Sequence, residues 1–267
     1  MRGPRFGSAR PGGAGFRGAR LGGAVAAIAI AALLSGCSGS AQPAPAPPAG
    51  IDLEGFDGSS GNGLWLGSSE AIEAELLGAV RNAGPVHLTG SMTELVAPDD
   101  PTEDAYRGRT LTVDYRGRAD AFDARVNAGD QQVRVVASAG EARILGNADW
   151  AAATGAPETA DSVVCTVGSG PLLERLAPLL SPPDLIGALL EGQSLSVAEP
   201  AGDVDTLQVV VGTEDAALGV LVVERFGPPL PRSFTAADGS GDGSFVFEGW
   251  GEAPDLDASL AELPCSG

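Results

Sequence analysis

The sequence predicts an α+β fold in which a curved antiparallel sheet wraps around short apolar helices. Three observations predict it. Between Val86 and Gly146, apolar and polar residues alternate with period two, broken by short separators. Two leucine-rich helical stripes follow between Gly170 and Gly192, and strand-like runs resume from Leu207 to Trp250. A sheet with one apolar face and two apolar helices between its halves buries both by layering one on the other.

The elements divide the chain into three parts, a leader over 1–36, a linker over 37–67 and a folded domain over 68–267. The leader carries five arginines and no acid up to Arg20, then the uncharged run Leu21 to Leu34. A basic flank before a short apolar core is the pattern of a secretory signal. At fourteen residues the run falls short of the roughly twenty that a spanning helix needs. On that grammar alone, an ordinary signal sequence or an uncleaved anchor with an incidental cysteine fits too.

Leu34-Ser35-Gly36-Cys37 resembles a bacterial lipobox. The resemblance implies that Cys37 receives a diacylglyceryl group and becomes the mature N-terminus. It also implies a protein anchored by lipid to the extracytoplasmic face of the cell membrane. Acyl chains hold durably because each buried methylene contributes about 0.8 kcal/mol. The following SGSAQPAPAPPAG favours extended conformations and builds no core, so it reads as a semi-rigid stalk. The low-complexity character runs on through Gly63, which places the expected start of the domain near Ser68.

Removing residues 1–36 leaves eleven arginines, no lysine and thirty-five acids, a formal charge of −24. Such a surface disfavours nucleic acid and anionic headgroups, so lipid rather than charge must hold the protein at a membrane. Two cysteines remain beyond the lipobox, Cys165 and Cys265. In an exported chain an even pair reads as a disulfide, preferred here over two free thiols or a metal site, since one histidine supplies zinc poorly.

Within the domain, Ser68 or Ser69 caps a helix with acids in its first turn. Ile72, Leu76 and Leu77 form its stripe, and Gly84-Pro85 ends it. Leu111, Val113 and Tyr115 alternate with polar residues, as do Phe122, Ala124 and Val126, then Val133 and Val135. Arg116-Gly117, Ala128-Gly129-Asp130 and Ala139-Gly140 serve as hairpin separators. Pro178 is expected to bend or interrupt the first middle helix, and Ser181-Pro182-Pro183-Asp184 to start the second.

This order of elements, with Gly146-Asn147-Ala148-Asp149-Trp150 after the first meander and Gly227-Pro228-Pro229-Leu230-Pro231 between late strands, resembles the LolA/LolB-like half-barrel lipoproteins, including the LppX/LprG group of actinobacteria. The resemblance runs from Ser68 to the C-terminus and departs from the family pattern at Arg143-Ile144-Leu145, where an aromatic residue often sits. It implies a non-enzymatic carrier or chaperone holding a lipid or lipoglycan between sheet and helices. The expected lining is Leu172, Leu176, Leu179, Leu180, Leu185, Ile186, Leu189 and Leu190 on the helices. Leu111, Val113, Phe122, Val133 and Val135 face them from the sheet. Leucines on one stripe are equally what any buried helix shows, so an accessory module with a filled core is the alternative.

Other chemistry has weaker support. His87, the single histidine, has no sequence partners for a triad or a two-histidine metal motif. Gly168-Ser169-Gly170 lacks both the third glycine of a dinucleotide fingerprint and the lysine of a P-loop. Asp238 to Gly243 begins like a calcium loop, but Gly249 stands where the bidentate glutamate belongs. The acidic run Pro98 to Asp104 reads as a solvated loop. No cofactor, metal or nucleic-acid partner is expected, and no protein partner is indicated.

Overall fold

Period-two alternation in the first half of the domain becomes five consecutive antiparallel strands. In the computed structural model the described residues are 60–96, 106–167, 170–213, 215–237, 243–253 and 260–265. The leader, Cys37, the linker before Ser60, the acidic run, Gly168-Ser169 and the calcium-like loop up to Asp242 lie outside them.

Helix α1 (Ser69–Asn82) starts where the Ser68 hydroxyl accepts from the Ala71 amide at 3.4 Å. Glu70, in its first turn, has its carboxyl held below the usual range by a backbone hydrogen bond and by Ser68. Ile72, Leu76 and Val80 are its buried stripe. Strands β1 (Val86–Val96), β2 (Tyr106–Arg118), β3 (Ala121–Ala128), β4 (Gln131–Ser138) and β5 (Glu141–Gly146) pair in order, each antiparallel to the last. Their registers align core-facing residues in rows. One row is Gly117, Phe122, Ala137 and Ala142; the next is Tyr115, Ala124, Val135 and Ile144; a third is Val113, Val126, Val133 and Gly146.

The β2–β3 turn falls at Ala119-Asp120, not at the expected Arg116-Gly117. Gly117 instead lies inside β2 with φ 133°, where a Cβ would come 2.2 Å from the Ala121 carbonyl oxygen. The glycine marks a close approach of two strands rather than a reversal. The β4–β5 turn is as expected: Ala139 and Gly140 both have positive φ, 53° and 84°, the signature of a type I′ hairpin.

After β5 the chain makes two helices where only the close of a meander was expected, α2 (Ala148–Thr154) and α3 (Glu158–Asp161). Asn147 caps α2 by accepting from the Trp150 amide at 2.9 Å. Strand β6 (Val164–Val167) then pairs with β5. The leucine-rich segment forms one α-helical turn, α4 (Gly170–Leu173), a 3-10 stretch over Glu174–Leu180, and α5 (Pro182–Leu190). Pro178 lacks an amide hydrogen and crowds the carbonyl four residues back, so α-helix does not continue through it. Pro182 sits at the first position of α5, where its missing donor costs nothing.

Strands β7 (Leu195–Val197), β8 (Thr206–Thr213), β9 (Ala216–Glu224), β10 (Pro231–Ala236) and β11 (Gly243–Glu248) complete one eleven-stranded antiparallel sheet, in the order β6-β5-β4-β3-β2-β1-β11-β10-β9-β8-β7. Sequence patterning left β7 and β10 unmarked, the first for its length and the second because Pro231 opens it. It also carried the last strand to Trp250, whereas β11 stops at Glu248 before Gly249 at φ 65°. Trp250 stacks on Phe247, their ring centroids 6.0 Å apart, and donates to the Pro231 carbonyl at 2.7 Å.

Consecutive strands β6 and β7 are the two opposite edges of the sheet. The helical residues between them share one continuous apolar core with α1 and with both halves of the sheet. A second, small cluster of Val136, Val163 and Leu260 lies apart from it. It explains why adjacent Val135 and Val136 are both buried: successive strand residues face opposite sides. Cys165 and Cys265 are bonded, their Cα atoms 5.5 Å apart, which ties the C-terminal segment to β6.

Packing begins before Ser68. Leu64 enters the main core. Asn62 donates to the Glu224 and Gly227 carbonyls, and the buried Arg225 guanidinium donates to the carbonyls of Ser60, Gly202 and Val204. Residues 60–67, expected in the linker, therefore belong to the packed unit.

Candidate functional site

The row Gly117–Phe122–Ala137–Ala142 ends the core face at the β2–β3 and β4–β5 turns. Alanines at two of its four positions leave volume that larger side chains fill elsewhere. The helical segment brings Leu173, Ala177 and Leu180 over this row, and a pocket of about 420 Å³ opens between the two layers. Its interior is apolar. Its rim carries Asp120, Glu141, Asp184 and Ser181. Arg118 pairs with Asp120 at 2.6 Å on exposed surface, and the half-buried Arg143 pairs with Glu141 at 3.0 Å. Across the Ala119-Asp120 turn lies a second, more polar hollow of about 400 Å³, lined in part by Arg81, Arg118, Pro182 and Trp250.

The expected lining residues divide between this pocket and the packed core. Phe122 and Leu180 line the pocket. Leu111, Val113, Val133, Val135, Leu176, Leu179, Leu185, Ile186 and Leu190 are each at most 6 % exposed within the core, and Leu172 and Leu189 pack against its margin. The residues that patterning missed are the small ones. Ala137, Ala142 and Ala177 shape the pocket, and the signal that identifies them is an alanine at a core-facing position, not a leucine.

In the next core-facing row lies Tyr115, wholly buried, its ring centroid 5.1 Å from that of Phe122. Burial, reinforced by the Asp120 carboxylate, pushes its hydroxyl well above the ordinary tyrosine range, so it stays a protonated donor. That hydroxyl has no hydrogen-bond partner among the described residues, a state shared only by Arg143 Nε and Trp150 Nε1 among buried side-chain atoms there.

His87 is on the opposite face of β1. Its Nε2 lies 3.0 Å from Asp114 Oδ1, and Nδ1 lies 3.9 Å from Glu248 Oε2. Glu141, Cys165 and Cys265 come together, but the two sulfur atoms are bonded to each other, so neither offers a thiolate to a metal. Among the described residues no helix is long and apolar enough to cross a membrane. No protein-family model matches the chain, and no curated protein matches it significantly.

Proposed function

We propose that the chain is an envelope lipoprotein, anchored through Cys37 to the extracytoplasmic face of the cell membrane, that binds and carries or chaperones a lipid or lipoglycan. In this reading the sheet wraps the helices as a half-barrel and the ligand enters between them. The observation that carries it is the apolar pocket between Phe122, Ala137 and Ala142 on the sheet and Leu173, Ala177 and Leu180 on the helical segment. Its volume lies in the range of about 300–1,000 Å³ typical of small-molecule sites. Apolar burial supplies affinity at about 25 cal/mol per Å², before the costs of association. The Cys37 anchor rests on the lipobox resemblance alone.

A specific observation also favours a second reading, a non-enzymatic accessory module of an envelope complex. Most of the leucine stripe is consumed in close packing, so the interior beyond the pocket is filled.

Native mass spectrometry of the exported protein, followed by solvent extraction, separates the two. The carrier reading expects a non-covalent acylated species on the wild type. It expects Ala177→Trp, which fills the pocket from a half-buried position, to lose that species at an unchanged melting temperature. A clean ligand-free mass that persists after incubation with envelope lipids would leave the accessory reading standing.

A further inference from the structure

Arg143 Nε is a buried donor without a partner among the described residues, although the same guanidinium reaches Glu141 through Nη2 at 3.0 Å. The residue directly across from Arg143 on β6 is Cys165. A neutral sulfur is a weak acceptor, whereas a thiolate forms a charge-assisted hydrogen bond with an arginine. The orphan N–H therefore belongs to the cross-strand neighbour of a sulfur that becomes a good acceptor only when the Cys165–Cys265 bond opens.

The same bond conceals a set of metal ligands. A carboxylate oxygen of Glu141 and the sulfurs of Cys165 and Cys265 all lie within 4.8 Å of one another. Atoms at about 2.0–2.3 Å from one zinc ion stand roughly 3.5–3.8 Å apart in a tetrahedron, so side-chain rotations bring all three onto one ion. The backbone beneath them is held by more than the disulfide. Glu141 and Cys165 are on the paired strands β5 and β6, Cys265 bridges to Val163, and Leu260 packs against Val136 and Val163. Cys265 is exposed, so a reductant can reach the pair. Charge closes as well. Two thiolates and a carboxylate exceed a divalent ion by one negative charge, and Arg143 supplies the balance.

We propose that reduction turns the Cys165–Cys265 disulfide into a zinc site, with Cys165, Cys265 and Glu141 as ligands. Arg143 is a positioning residue that holds the carboxylate through Nη2 and the Cys165 thiolate through Nε. A dithiol supplies two electrons and two protons and becomes a disulfide itself, leaving both cysteines as thiols. The zinc ion then displaces both thiol protons, and water takes the fourth position. Two thiolates favour zinc over calcium or magnesium, and the carboxylate favours it over copper(I). The metal takes over the work of the disulfide, so the C-terminal segment stays tied to β6 in the reduced chain. The inference stands apart from whatever fills the pocket.

The test uses the full chain with Cys37→Ser, which leaves the pair as its only cysteines. It is reduced with a phosphine in the absence of oxygen and titrated with cobalt(II), then with zinc(II). One cobalt per reduced chain is expected, with a thiolate charge-transfer band in the near ultraviolet and the visible bands of a tetrahedral ion. Zinc should displace it, and the oxidised chain should show neither band. Glu141→Ala and Arg143→Ala should each weaken cobalt binding by about tenfold or more. Zinc should raise the melting temperature of the reduced chain and leave that of the oxidised chain unchanged. No band in the reduced chain, unchanged affinity in either variant, or equal binding by the oxidised chain would each overturn the proposal. So would a reduced chain that loses its fold and does not recover it with zinc, because the ligands would then lack the frame that places them.

Discussion

The two meanders present opposite chemistry on the face that turns away from the main core. In β2–β5 the rows Asp114–Arg125–Arg134–Leu145 and Arg116–Asp123–Val136–Arg143 place six charged side chains at eight positions. In β8–β11 the rows Gln208–Val222–Ser233–Val246 and Val210–Val220–Thr235–Ser244 place none. Residues 106–146 hold seven arginines against five acids, in a chain of sixteen arginines and thirty-five acids. A net charge of −19 therefore describes the average of the chain and not this surface. Exclusions argued from net charge apply to the molecule as a whole, while the outer face of the first meander is locally balanced.

The two faces are also held differently. Asp123 and Arg134 form a bidentate pair, Nε to Oδ1 at 3.0 Å and Nη2 to Oδ2 at 2.7 Å, with side chains 10 % and 18 % exposed. The C-terminal strap adds Leu260 to Val136 and Val163 and closes with the disulfide. The second meander has a bidentate pair too, Arg232 with Glu224 at 2.6 and 2.7 Å, but its side chains are 48 % and 32 % exposed, and Val246 is 40 % exposed.

If the first meander depends on its strap, removing the disulfide is the largest perturbation. Cys165→Ser with Cys265→Ser should cost about 3–4 kcal/mol in denaturant unfolding, given a sequence separation of 100 residues. Amide exchange should quicken in β5 and β6 before β8 and β9. Equal quickening in both meanders would erase the distinction. Next comes Arg134→Ala, which strands a buried carboxylate and should cost about 3 kcal/mol. Arg116→Ala, whose partner Asp114 is exposed, should cost less than about 1 kcal/mol. The smallest effect belongs to the other face, where Val246→Thr should stay within about 0.5 kcal/mol. A loss there approaching that of Arg134→Ala would mean that these two uncharged rows are structurally committed too.

Much of this fold was legible. Alternation marked β2 to β5 because one face is buried and the other wet, and Ala139-Gly140 marked its own turn. Legibility failed where one residue type serves two purposes. Gly117 signals a turn by composition, yet it is needed where β2 passes close to Phe122. Asn147 reads as loop, yet its side chain caps α2. Pro231 opens an inner strand that a pattern rule discounts. The small residues of the pocket escaped notice for the same reason. Leucines report burial, and eleven of the thirteen expected lining residues are buried core side chains, Phe122 and Leu180 among them. A pocket arises where volume is missing, so its sequence signature is alanine in a row of larger residues. That signature gains meaning only once the register sets Ala137 beside Ala142 and a crossing helical segment contributes Ala177.

Arg225 has a mechanical consequence. The chain upstream of Ser60 meets, within three residues, a guanidinium that grips three backbone carbonyls and an asparagine amide that grips two more. A pull applied from that side is delivered to the end of β9, not to α1. Strands β10, β11 and β1 stand between β9 and the pocket-bearing β2. The clamp works as the strain relief on a cable does: tension arriving at Ser60 is taken up at Arg225, with three strands between it and the pocket-bearing half of the sheet.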